Sequence, residues 1–188
     1  ALLPSTARRA HALLARKPTL FAALEQADAV VAPSRFLMRT FEAQGFPAGR
    51  IRHLPYGLDS SRGAARPATP PVRTDDHLHV GYIGSISRHK GVHVLIGAMR
   101  ALDRQDVRLH VHGGLETHPD YSEELRRLAA GDERIEFHGR FEPKELGNVL
   151  AGLDCVAVPS LWYENTPFAV LEALNFGLPV IASDRGGI

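Results

Sequence analysis

Two carboxylates lie eight residues apart in the segment Pro159 to Leu174, PSLWYENTPFAVLEAL. Thr166 is a favoured N-cap type and Pro167 suits a first helical position, so the sequence predicts a helix from there to Phe176. Glu164 then lies in the loop before the helix. Glu172 lies more than a turn inside it, among Ala169, Val170, Leu171, Ala173, Leu174 and Phe176. A helix apolar nearly all round is expected to be buried, and an ionised Glu within it is costly without a partner. One reading is a side chain that reaches a rim and is solvated; the apolar surroundings favour an acid kept for a ligand. Eight residues of helix span about 12 Å, the order of separation of two sugar rings joined through a diphosphate. Each carboxylate would accept hydroxyl hydrogen bonds from one ring, with the helix N-terminus facing the phosphates.

A second constellation is the loop Gly84-Ser85-Ile86-Ser87-Arg88-His89-Lys90-Gly91, which runs into an apolar helical pattern. Small residues before a helix leave backbone N–H groups open to an anion, and Ser85, Ser87, Arg88 and Lys90 add donors and charge. The Gly-Lys-Ser/Thr order of a Walker loop is absent, and a Rossmann glycine fingerprint is absent too. By itself the loop is a phosphate site or a solvated strand-to-helix turn. Trp162 and Tyr163 either stack on a ligand or close their loop, and Asp184 with Arg185 either borders the site or forms an exposed ion pair.

Short apolar runs alternate with helical patterns along the chain. Strands are predicted at Ala29–Ala32, Arg50–Leu54, 79–84, Val107–His112, Ile135–His138, Leu153–Val158 and Leu178–Ala182. Between them, Phe36, Leu37, Thr40 and Phe41 mark a helix closed by Gly45 and Pro47. Val92, Leu95, Ile96, Met99 and Leu102 share the face of another. Tyr121, Leu125 and Leu128 mark a third, and a short helix covers about Pro143 to Ala151. Near-continuously apolar strands taking turns with helices predict an α/β fold: a Rossmann-like parallel sheet with helices on both faces. In such sheets ligands bind beyond the carboxyl ends of the strands, which is where both constellations fall. Residues 60–77 are rich in Pro, Ser, Arg and Gly without periodicity, and place a domain boundary at 55–77.

Composition removes other classes. With 188 residues, 44% hydrophobic, 23% charged and a formal net charge of +1, the chain reads as an ordinary globular protein, without the charge excess of a nucleic-acid binder. One cysteine excludes a disulfide scaffold or a zinc–cysteine cluster; Cys155, in an apolar strand, reads as packing. Ten histidines invite a metal reading. His77 with His79 and His110 with His112 alternate on single strand faces, but no helical pair with zinc spacing follows, and no metal is expected. Residues 1–60 hold 8 Lys/Arg against 4 Asp/Glu, with Arg8, Arg9, Arg16 and Lys17 clustered at the start. That cluster is either a solvated helix face or a weak contact with an anionic membrane surface. It lacks the layout of a signal peptide.

Taken together, the segments resemble retaining GT-B glycosyltransferases of the family 4, group 1 type. Glu164 to Glu172 resembles their E-x7-E element, with Pro159-Ser160 before it and Gly177-Leu178-Pro179-Val180-Ile181-Ala182 and Gly186-Gly187 after it. Lys90-Gly91 resembles the family's phosphate-binding Lys-Gly. Val31-Ala32-Pro33-Ser34 and Leu54-Pro55-Tyr56-Gly57-Leu58-Asp59 resemble its strand end and interdomain hinge. The resemblance implies the end of an N-terminal acceptor-side domain at 1–55, a hinge at 56–77, and a donor-binding domain at 78–188 that stops short of the family's closing elements. It implies transfer of a sugar from a nucleoside-diphosphate sugar to a glycan or lipid acceptor, with retention and without a metal or other cofactor, by an enzyme at work in the cytoplasm or at the inner membrane face. A piece of this extent is expected to be inactive alone. Glu164 and Lys90 would be catalytic, one holding the transferred sugar and the other neutralising the leaving diphosphate. Glu172 would hold the ribose, Asn165, Thr166, Pro167 and Phe168 would face sugar and phosphates, and Arg140 and Phe141 would border the base. Family members commonly carry Arg after the glycine that ends the strand; here Gly84 is followed by Ser85, and Arg88 is the expected second charge. The alternative class is a non-catalytic nucleotide or nucleotide-sugar binding module on the same fold.

Overall fold

The computed structural model describes residues 5–58 and 75–188. The chain divides into two compact units, Ala1–Pro55 and Tyr56–Ile188. Most of the expected hinge, residues 59–74, lies outside the described residues.

In the first unit the order is α1 (Ser5–Glu25), β1 (Val30–Ala32), α2 (Arg35–Ala43) and β2 (Ile51–His53). β1 and β2 pair in parallel with Val30 opposite Ile51. Ser34 starts α2 as its N-cap, its hydroxyl accepting from the Leu37 N–H at 3.2 Å. Ala32, Phe46 and Ile51 are buried, with Phe21 edge-on to Phe46.

The second unit begins with β3 (Leu78–Ile83), followed by α3 (Val92–Ala101), β4 (Val107–His112), α4 (Pro119–Ala129) and β5 (Ile135–Gly139). It continues with α5 (Leu146–Ala151), β6 (Cys155–Val158), α6 (Phe168–Phe176) and β7 (Val180–Ala182). Among the described residues these strands form one parallel sheet in the order β5-β4-β3-β6-β7. Strand alternation sorts the side chains to two faces. Val80, Tyr82, Leu109, Val111, Ile135 and Ala157 meet α3 and α4 in one core. Val156 and Val158 meet α5 and α6 in the other, with Leu146, Leu150 and Phe176. Helices on both faces of a parallel sheet are the architecture read from the sequence.

A buried arginine ties the first layer together. Arg134, just before β5, donates to the carbonyls of Met99, Leu102 and Arg104 and pairs with both carboxylate oxygens of Asp132. It thereby satisfies acceptors at the end of α3, where the last carbonyls have no helical partner. Its guanidinium holds the Asp132 carboxyl below the usual carboxylate range, against a smaller opposing effect of burial.

Two expectations about α6 need correction. The helix starts at Phe168, not at Pro167, because Pro167 has extended geometry (ψ 125°) and is itself the cap residue; the Thr166 hydroxyl donates to the Asn165 carbonyl instead of capping. The helix is not buried all round either. Ala173 and Phe176 are buried against β6, whereas Phe168 and Leu174 are half exposed. Its apolar character therefore does not by itself bury Glu172, which is partly buried.

Candidate functional site

In this strand order β3, β4 and β5 run outward in one direction and β6 and β7 in the other, so the switch point lies between β3 and β6. Loops diverge there and leave a crevice at the carboxyl ends. The loop after β3 carries Gly84 to Gly91; the loop after β6 carries Pro159 to Pro167. They touch at Gly91, where φ is +78° and a Cβ would stand 1.9 Å from the Pro159 carbonyl oxygen. Only glycine allows that approach. The Leu161 N–H donates to the His89 carbonyl at 2.8 Å, a second tie between the loops.

Glu164 is fixed from behind by the segment after β7. Its backbone bridges to Gly186, and its carbonyl accepts from the Gly187 N–H at 2.6 Å. A side chain at Gly186 would meet the Glu164 carbonyl oxygen at 2.4 Å, so the Gly186-Gly187 pair is what lets the two strands of chain close on each other.

The Glu164 side chain is buried (8% exposed) yet charged. Its Oε1 accepts from Lys90 Nζ at 2.6 Å and from the Ser160 hydroxyl at 2.5 Å. Burial pushes its carboxyl up. The hydrogen bonds from Lys90 and Ser160, with the charges of Lys90 and His89, outweigh that and leave it below its ordinary value. Lys90, Ser160 and Glu164 thus form one charge-assisted cluster joining the two loops. Tyr82 holds the first loop from below, its hydroxyl donating to the Ser85 carbonyl at 2.8 Å; burial pushes this phenol well up, so it remains a neutral donor.

Two contiguous pockets open at the crevice. The first, about 240 Å³, is lined by Gly84, Ser85, Lys90, Ser160, Glu164, Pro167, Phe168 and Glu172 among others. The start of α6 borders it through Pro167, Phe168 and Ala169, and the first turn of a helix offers N–H groups without helical partners. The second, about 280 Å³, shares Ile83, Gly84 and Ser85 and adds His112, Gly113, Gly114, Arg140 and Phe141. Burial, aided by the charges of His138 and His110, holds the His112 ring at about 4, so it lines this pocket as a neutral imidazole. Together the pockets offer about 500 Å³, within the range of small-molecule sites. Phe168 is stacked on Tyr56, centroids 5.2 Å apart and ring planes nearly parallel.

Most residues singled out in the sequence converge here: Gly84, Ser85, Lys90, Glu164, Pro167, Phe168 and Glu172 in one pocket, Arg140 and Phe141 in the other. Arg88 does not. It pairs with Glu124 on α4 and lies over the Tyr121 ring, 5.2 Å from its centroid. Arg88 and Lys90 sit two apart on a 3-10 turn, Arg88–Lys90, and at three residues per turn their directions diverge by about 120°. The expected second charge is therefore turned away from the pocket. Asn165 is exposed, and neither it nor Thr166 lines either pocket. Trp162 is exposed, edge-on to His89. Ser160, Tyr82 and His112 were missed. A serine four residues before a buried acid, next to a strand end, was the available signal for Ser160. Cys155 is buried as expected, its thiol pushed up by that burial.

A parallel sheet with helices on both faces and a crevice at its switch point is an architecture this unit shares with GT-B-type glycosyltransferases. The family model described as glycosyl transferases group 1 matches residues 77–188, and the chain belongs to that family. It is 33% identical to a GDP-mannose-dependent alpha-mannosyltransferase of Mycobacterium tuberculosis, across 98% of this chain and 45% of that protein. It is 30% identical to a GDP-mannose-dependent alpha-(1-6)-phosphatidylinositol monomannoside mannosyltransferase of Mycolicibacterium smegmatis, across 86% and 45%. The chain spans less than half the length of these relatives. Among solved structures, sucrose-phosphate synthase from Thermosynechococcus elongatus superposes with a TM-score of 0.73 at 27% identity, over 92% of this chain and 45% of that one. The Anabaena protein HepE, solved with UDP and glucose, shares the fold with a TM-score of 0.76 at 24% identity, over 91% and 49%. Among the described residues no helix is long and apolar enough to cross a membrane.

Proposed function

We propose that the second unit binds a nucleoside-diphosphate hexose for transfer to a glycan or lipid acceptor, with retention of anomeric configuration and without a metal at the reacting phosphates. The observation that carries this reading is the Lys90–Glu164–Ser160 cluster in the pocket that Glu172 also lines. In this assignment the diphosphate lies between the start of α6 and the Gly84-Ser85 loop, and Lys90 offsets the charge that grows on the leaving oxygen. Glu164 accepts from hydroxyls of the transferred sugar, held in place by Ser160. Glu172 takes the ribose hydroxyls, and the base enters the second pocket between Phe141, Arg140 and the neutral His112. The acceptor oxygen attacks the anomeric carbon from the face the diphosphate leaves; the carbon–phosphate-oxygen bond breaks, and the acceptor proton passes to the departing phosphate. The names of the two mannosyltransferase relatives make a GDP-linked hexose the first donor to try.

Isothermal titration of the chain with GDP, UDP and ADP tests the site directly. One nucleotide is expected to bind with a dissociation constant below 1 mM, on the order expected of a metabolite-binding enzyme, and Glu172→Ala should weaken it about tenfold. No binding by any of the three at millimolar concentration overturns the reading. Where this unit is joined to an acceptor half, Glu164→Gln should abolish transfer while nucleotide binding persists, and the product's anomeric configuration decides retention.

A further inference from the structure

The helices α5 and α6 cover one part of the second sheet face; on β3, β4 and β5 that same face carries histidines. His79, His110 and His112, and across the strand pair Glu136 and His138, all project to the side opposite the apolar core of Val80, Leu109, Val111 and Ile135. Register brings them together. His110 stands opposite Glu136, and an irregularity after Val111 advances β5 by one residue, drawing His138 alongside His110.

Three ring-to-acceptor contacts run in one direction. His79 Nε2 lies 3.0 Å from the Asp75 carboxylate, His110 Nε2 lies 2.8 Å from His79 Nδ1, and His138 Nε2 lies 2.9 Å from His110 Nδ1. Because Asp75 only accepts, the contacts are satisfied together when each ring donates through Nε2–H and accepts at Nδ1. His110 is thereby held as a neutral ring, its Nδ1 lone pair turned toward His138 and Glu136.

We propose that His110 Nδ1, His138 Nε2 and Glu136 Oε2 bind a first-row divalent cation of the zinc type, clipping the edge strand β5 to β4. These three atoms are 2.9, 3.5 and 3.7 Å apart. Tetrahedral ligands about 2.05 Å from an ion stand about 3.3 Å from one another, and the point equidistant from these atoms lies about 2.0 Å from each. No backbone movement is needed. Two imidazoles with one carboxylate suit zinc, cobalt or nickel and not the all-oxygen preference of magnesium or calcium. The rest of the relay serves as the outer support such ligands require: His110 keeps its Nε2–H on His79, and His79 keeps its own on Asp75, while His138 moves its proton to Nδ1. Along the chain these histidines show no metal-ligand spacing; across the strands they do.

The test uses the tag-free chain, stripped with chelator and titrated with cobalt(II) chloride. One equivalent should bind and give the visible absorption bands of a four-coordinate ion, displaced by zinc and unaffected by magnesium or calcium. Glu136→Gln, at a half-exposed side chain where folding is not at stake, should weaken binding at least tenfold, and His138→Ala should abolish the bands. His79→Phe should weaken binding about tenfold by removing the partner of His110, while His53→Ala, in the first unit, should leave binding unchanged. Absence of the bands at millimolar cobalt, or binding of equal strength in His138→Ala and Glu136→Gln, overturns the proposal.

Discussion

Replacing Lys90 by methionine removes the cation from Glu164 while keeping most of the side-chain volume. The carboxylate is then left 8% exposed with Ser160 as its remaining side-chain donor. Stranding one partner of a buried ion pair costs about 3–5 kcal/mol, and the 27% exposure of the Lys90 side chain lets water offset part of that, so about 2–3 kcal/mol is expected at pH 7. The acid side of the profile follows from the sign of the shift. In the wild type Glu164 titrates below its unfolded value, so its contribution is complete above that value and is lost as pH falls through the folded one. In Lys90→Met burial still pushes the carboxyl up while the Lys90 hydrogen bond and charge no longer oppose it, so the group titrates higher than in the wild type and the penalty shrinks as it protonates. The gap between the two proteins should therefore narrow steadily from pH 7 to pH 4. Urea unfolding at several pH values measures it, and Lys90→Met/Glu164→Gln should recover most of the loss, giving a coupling energy of about 2 kcal/mol. A Lys90→Met protein within 0.5 kcal/mol of wild type at pH 7, on the order of an ordinary surface change, would refute the claim that this pair is a desolvated unit.

Two further outcomes follow from the placement of the arginines. Arg88→Ala should change nucleotide affinity less than about twofold, a difference of about 0.4 kcal/mol, because Arg88 is committed to Glu124 and Tyr121 outside the pocket; calorimetry beside the wild type decides it, and a tenfold loss would return Arg88 to the phosphate site. Arg134→Met should destabilise the second unit by about 3 kcal/mol, since it removes the guanidinium donors from the carbonyls of Met99, Leu102 and Arg104 and the cation from Asp132, which thermal unfolding will read.

What the sequence made legible was local. Val107–His112 was readable to the residue because its alternation is strict, one face all Val and Leu and the other Arg and His. The spacing of Phe36, Leu37, Thr40 and Phe41 announced α2, and the small residues of Gly84–Gly91 announced a strand-to-helix turn. Glu164 and Lys90 were each recognisable from their own neighbours. Their contact was not, because 74 residues separate them and the strand order β3-β6 alone brings their loops face to face. Arg88 misled for a related reason: proximity in sequence to Lys90 counts for little when a 3-10 turn divides the two directions. The histidines repeat the lesson on the sheet, where His110 and His138 are ordinary strand residues until register and a one-residue irregularity set their nitrogens 2.9 Å apart. In each instance the residue type was fixed locally and the chemistry by a pairing. The first unit of information needed beyond this sequence was therefore the strand order: given β5-β4-β3-β6-β7, the facing of Lys90 and Glu164 follows from the positions of their loops, and the histidine cluster follows once the β4–β5 register and its one-residue irregularity are added.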